Sequence, residues 1–252
     1  MVSAQDRAIA RIGGASLVIG SLGFVAVFSY LASTFGYPDV LDHPAEDVLP
    51  ALSAGGSPLR TAWLIYAAIP LSLLVGGLAS ASLLERGGGR MLARFGVVFA
   101  VVSAIAMIIG LARWPSIQWA LAERWEVATG EQRAVYAAMF DAANTYLGNI
   151  FGEYIGEMML AGWFATIGLA LRSTGRRWLG LGSIVMSAVL AISAQRQLTH
   201  LVDPIADLNN VLLPVWLVVV GVIMWRAPRS SADRQVAWAR DRNWLGAAPN
   251  QR

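Results

Sequence analysis

The chain has 252 residues, 56% of them hydrophobic and only 14% charged, with a formal net charge of +3 and a pI near 9.7. So little charge in so apolar a chain excludes an ordinary soluble domain and points to a membrane protein. It has no cysteine, which excludes disulfides, thiol catalysis, thiolate metal sites and a lipidated cysteine, and no lysine, which excludes a retinal Schiff base.

A spanning helix takes roughly 20 mostly apolar residues, and six segments approach that. The first, 12–35, follows Arg7 and Arg11. Its apolar run is too long for a signal peptide and no small-residue cleavage site closes it, so it reads as a retained span. Next comes "DHPAEDVLPAL", a short surface helix with Asp42 or His43 as N-cap and Pro44 in its first turn. The second and third spans, 61–84 and 95–111, are joined by "ERGGGR", a tight turn that also meets anionic headgroups. "RWPSIQWALAERWEVATGEQR" then places Trp114, Trp119 and Trp125 where tryptophans anchor a helix among headgroups.

From Glu131 onward no residue breaks a helix, so the fourth helix, with its span at 150–171, is expected to begin there and to protrude. Forty residues would measure roughly 60 Å, about twice the hydrocarbon thickness. "RSTGRR" leads to the fifth span, 178–194, and the sixth is 208–225. The Arg-rich tail, 228–252, is expected to be cytoplasmic and in part disordered, with a short helix over "ADRQVAWARDRNWL".

With both termini inside, fourteen of the nineteen arginines fall on the cytoplasmic side; Arg60, Arg113, Arg124, Arg133 and Arg196 fall outside. Only Asp6, Glu85, Asp233 and Asp241 are acidic on the inner side. That asymmetry accounts for the basic pI without nucleic acid. The expected fold is an all-α integral membrane protein, a six-transmembrane-helix bundle over 1–227 in the bacterial cytoplasmic (inner) membrane. Both termini are cytoplasmic, and short helices lie on the outer surface.

The fourth helix, "YLGNIFGEYIGEMMLAGWFATIGLAL", carries two glutamates in a run apolar enough to cross a bilayer. Asp141, Thr145, Asn149, Glu153 and Glu157 recur every four residues and form one stripe. Asn144, Gly148, Gly152 and Gly156 form a second. Glycines so spaced admit a close neighbour, whether a helix of this chain, a second copy or a partner. Ionisable groups within spans are costly and face a partner or a water-filled path. "SAQRQLTHLVDPIADLNN" brings Arg196, His200 and Asp207 close to one face, with Asp203 beside them, if the fifth helix continues to Pro204.

Three readings follow. In the first, the protein binds, or also transports, a small ligand or ion, with Asp141, Asn149, Glu153, Glu157, Arg196 and His200 as ligand- or proton-binding groups. The lack of an inverted repeat or a Gly/Pro-broken helix pair counts against an ordinary secondary transporter. In the second, Glu153, Glu157, His200 and Asp203 or Asp141 hold Zn, Mn or Fe in an enzyme acting on a lipid-like substrate at the outer leaflet. No dense motif such as H-E-x-x-H accompanies them. In the third, Glu153 or Glu157 merely pairs with Arg196, and the glycine stripe docks another helix. There is no phosphate-binding glycine loop, no G-x-S-x-G elbow and no Cys/His nucleophile. The two histidines, His43 and His200, both lie in outer segments, so no haem is expected.

The stretches "YPDVLDHPAEDVLPAL" (37–52), "RWPSIQWALAERWEVATGEQRAVYAAMF" and the glycine-rich fourth span ending in "LALRSTG" carry a resemblance. Over most of residues 5–227 the chain resembles the bacterial domain-of-unknown-function 4386 membrane proteins. The resemblance implies a six-helix membrane fold and carries over no active site.

Overall fold

The computed structural model describes residues 4–226. The expected tail, 228–252, and its short helix lie outside the described residues. Every regular element among the described residues is helical. In chain order they are α1 (Ala4–Phe35), α2 (Ala45–Ala54), α3 (Gly56–Ala68), α4 (Leu71–Ala112), α5 (Trp119–Trp125) and α6 (Gly130–Ala143). A π-helical segment (Asn144–Ile155) continues α6 into α7 (Gly156–Ser173), followed by α8 (Arg177–Ser193) and α9 (Asp203–Trp225). Among the described residues, five helical stretches are long and apolar enough to cross a membrane.

One of those stretches, Gly56–Trp125, folds back on itself. Gly89 takes φ +79°, a left-handed conformation that glycine adopts without a Cβ clash. A Cβ on Gly96 would lie 2.5 Å from Leu84 Cδ1, and one on Gly77 would overlap the Ala100 side chain. Residues 71–88 and 90–112 are therefore the antiparallel arms of a helical hairpin, and "ERGGGR" is its bend.

α7 packs between α4 and α8, and α1 packs on α4 and α9. The buried faces favour small residues: Gly13 and Gly14 on α1, Ala79 and Ala100 on α4, Gly221 on α9. The outward faces carry large apolar side chains such as Ile19, Leu22, Phe95, Val98, Val185 and Val211. In water that distribution would leave a large exposed apolar surface; in lipid it is the ordinary one, since association there depends on close packing.

A second core fills the end of the bundle opposite Gly89, where α2, α5 and α6 form a cap. Trp63 and Trp114 stack with centroids 4.6 Å apart, and Phe35 meets both edge-on. Trp114 is fully buried and Trp119 and Trp125 nearly so. The expectation that these three anchor the chain among headgroups is corrected: α2 covers them, and their indoles build the cap's core.

Two further expectations are corrected at this end. Pro44, with an extended backbone, caps α2 in place of Asp42 or His43, and no side chain supplies a capping bond. The fifth helix does not run on to Pro204. α8 stops at Ser193, and 3-10 turns at Ala194–Gln197 and His200–Val202 carry the chain to α9, with Pro204 in its first turn, where a missing N–H costs nothing. α6 does begin with a capping box, the Thr129 N–H donating to Gln132 Oε1 at 2.9 Å.

Candidate functional site

The π-helical segment is the centre of the site. Its wider turns advance less rotation per residue than an α-helix, which offsets the forward drift of an i, i+4 row. Asn144, Gly148, Gly152 and Gly156 are thereby held toward the second arm of α4. A Cβ on Gly152 would lie 2.9 Å from Gly110 Cα, and one on Gly156 would lie 2.9 Å from Met107 Cγ. A Cβ on Gly148 would overlap the guanidinium of Arg113.

Arg113 is 4% exposed. Its Nε and Nη2 donate to Asn144 Oδ1 at 3.1 and 2.9 Å, and its Nη1 donates to the Gly110 carbonyl at 2.6 Å. Its guanidinium lies 5.2 Å from the Trp114 ring centroid. Asn144 in turn donates to the Leu41 carbonyl at 3.4 Å, tying the cap's first turn to the bundle.

Two cavities meet at Glu153. The inner one, of about 150 Å³, lies among α1, α3, α4, α7 and α9. Its polar lining includes Tyr37, Tyr66, Arg113, Glu153, Glu157 and Asn209, and the remainder is largely apolar. The second is a polar vestibule of about 440 Å³ under the cap, lined by Asn149, Glu153, Arg196 and Gln197. Asp39, Asp42, Asp203 and Asp207 make its wall acidic, with His200 beside them.

Glu153 faces both spaces. Gln197 Nε2 donates to its Oε2 at 2.5 Å, and Arg196 Nε stands 3.7 Å from the same oxygen. Both side chains of the ion pair are 24% exposed, so the pair forms a partly hydrated partition. One turn deeper, Glu157 hydrogen-bonds Ser193, which also accepts from Asn209 Nδ2 at 3.5 Å. Glu157 Oε2 and Asn209 Oδ1 are buried and have no partner. A buried polar atom without a partner costs free energy that water or a ligand recovers. Tyr37, in the turn after α1, shares a hydrogen bond with Tyr66. Burial, and then the Glu153 charge, push its phenol up to about 12, so it stays protonated.

A family model described as "Domain of unknown function (DUF4386)" matches residues 12–226. The chain belongs to that family. No curated protein and no solved structure matches it.

In this DUF4386 chain the residues singled out by sequence separate into groups. Glu153 and Glu157 line the inner cavity, whereas Asn149, Arg196, His200 and Asp203 line the vestibule. Asp141 is exposed and lines neither, because the stripe emerges into the cap before it reaches that turn. The four metal candidates do not converge. His200 is exposed and sits 3.1 Å from Asp203, Glu153 is held by Arg196 and Gln197, and Glu157 lies a turn deeper. No group of three or more His, Asp or Glu placed to hold a metal ion occurs among the described residues. Sequence reasoning missed Arg113, Asn144, Tyr37, Tyr66 and Asn209. Asn144 stood in the glycine stripe, the one signal that pointed toward Arg113.

Proposed function

We propose that this protein crosses the bacterial cytoplasmic membrane six times, each arm of the α4 hairpin making one crossing, with both termini inside. The cap then faces outward. The arginine distribution and the return of the chain at Gly89 support this arrangement. Within it, the protein binds a small ligand or ion in the inner cavity, admitted from the vestibule past Glu153, Arg196 and Gln197.

The observation that carries this reading is the pair of partnerless buried acceptors, Glu157 Oε2 and Asn209 Oδ1, at a cavity adjoining an acidic vestibule. A purely structural ion pair accounts for Glu153 and Arg196 and leaves those two atoms unexplained. The test is thermal unfolding of the detergent-purified protein against a panel of chloride salts at constant ionic strength: sodium, potassium, ammonium and short alkylammoniums. Stabilisation by at least one of them in the wild type, lost in Glu157→Gln, supports the reading; no stabilisation across the panel contradicts it. Flux into proteoliposomes then separates a carrier from a receptor.

A further inference from the structure

The chemistry of the inner cavity narrows the ligand, on the assumption that the binding reading above holds. We infer that the inner cavity takes a small primary organic ammonium, its charged end on Glu157 and Asn209 and its apolar body against the apolar part of the wall.

Two side-chain acceptors stand free there. Asn209 is 2% exposed, its Nδ2 is engaged by Ser193, and its Oδ1 is left free beside the cavity. Glu157 Oε2 is buried and free in the same cavity. An ammonium group offers three N–H donors, enough to satisfy both of these acceptors.

The rest of the lining argues against a bare metal ion. Calcium takes six to eight oxygen ligands and magnesium a near-octahedral set. Here the wall beyond the acceptors combines apolar side chains, including Phe24, Leu73, Leu213 and Leu217, with Tyr37, Tyr66 and an Arg113 guanidinium already engaged by Asn144 and Gly110. A volume of about 150 Å³ holds a body the size of a benzene ring or a four-carbon chain. Aromatic faces near a desolvated cation add attraction. The vestibule supplies the attraction at longer range: its carboxylates outnumber its arginine, which raises the local concentration of cations and depletes anions.

The test uses the full chain in detergent, with n-butylammonium chloride as probe, n-pentanol as its uncharged counterpart and potassium chloride as the ionic-strength control. The expected result is a rise in unfolding temperature with butylammonium that neither pentanol nor potassium reproduces. Glu157→Gln and Asn209→Leu are each expected to weaken the apparent affinity on the order of tenfold. Equal stabilisation by pentanol overturns the inference, because the cavity then selects only for apolar volume. Glu157-dependent stabilisation by potassium without butylammonium also overturns it, while leaving the cation-binding reading standing. No stabilisation by any of the three defeats both. The wild-type comparison of butylammonium with pentanol does not depend on how well either variant folds.

Discussion

The guanidinium of Arg113 occupies the space that a side chain at position 148 would fill, and Gly148 is what admits it. A charge that is 4% exposed is held in an apolar bundle by hydrogen bonds to Asn144 and Gly110 and by the face of Trp114. The stripe of small residues on the π-helical segment therefore does two things: it brings backbones together at Gly152 and Gly110, and it houses a cation one turn away.

Gly148→Ala is expected to displace the guanidinium and lower stability by about 1–3 kcal/mol, the usual cost of overpacking. Gly130→Ala is the matched control, because a Cβ there meets nothing within 4 Å. Its effect should stay within about 0.5 kcal/mol. Thermal unfolding followed by circular dichroism compares the two.

Arg113→Lys keeps the charge and loses the planar fork that reaches Asn144 Oδ1 with two nitrogens and the Gly110 carbonyl with a third. A loss of about 1.5–3 kcal/mol is expected, the value of hydrogen bonds to a charged group. In combination with Gly148→Ala the losses should be strongly sub-additive, since both remove the same arrangement. Additive losses in the double-mutant cycle would show that the two residues are not coupled.

The Glu153–Arg196 pair is partly hydrated, so a cycle of Glu153→Gln and Arg196→Gln should return a modest coupling of about 1 kcal/mol. Each single variant should cost more than the double, because each leaves the other charge without its partner. Raising the salt concentration should shrink the coupling.

Tyr37 sets an alkaline limit. Its folded-state value of about 12 lies above the ordinary phenol value of 10.0, with burial as the main cause. A raised value means that folding favours the neutral phenol, so the stabilisation is complete below 10.0 and is lost as pH rises toward 12. Stability should therefore fall through that window in the wild type, and Tyr37→Phe should flatten the fall while costing about 1 kcal/mol at neutral pH for the hydrogen bond to Tyr66. An unchanged alkaline slope in Tyr37→Phe would contradict this assignment.

The apolar runs and their arginine-rich turns were legible because hydropathy over twenty residues survives any error in packing. Glu153 and Glu157 stood out for the same reason: a carboxylate is conspicuous against leucine and glycine. Arg113 was not conspicuous. At the end of a span an arginine that turns inward reads like one at the interface, and only the gap at Gly148 and the Asn144 amide make the difference. Trp114 shows the same ambiguity, since a headgroup anchor and a cap's core residue have the same sequence signature. The π-helical turns were equally invisible, because Asn144–Ile155 has the propensities of an ordinary helix and the close approach to Gly110 is a tertiary fact.

Binding as proposed requires an inner cavity that is reached from the vestibule and favours cations. The chain has no cysteine, so Asn210→Cys places a single thiol in the wall of that cavity. The most direct measurement is its rate of reaction, in right-side-out vesicles, with the cationic aminoethyl and the anionic sulfonatoethyl methanethiosulfonates added from outside. Modification is expected from that side, faster for the cationic reagent by at least about tenfold and slowed by salt. No modification by either reagent, or faster reaction of the anionic one, would contradict it.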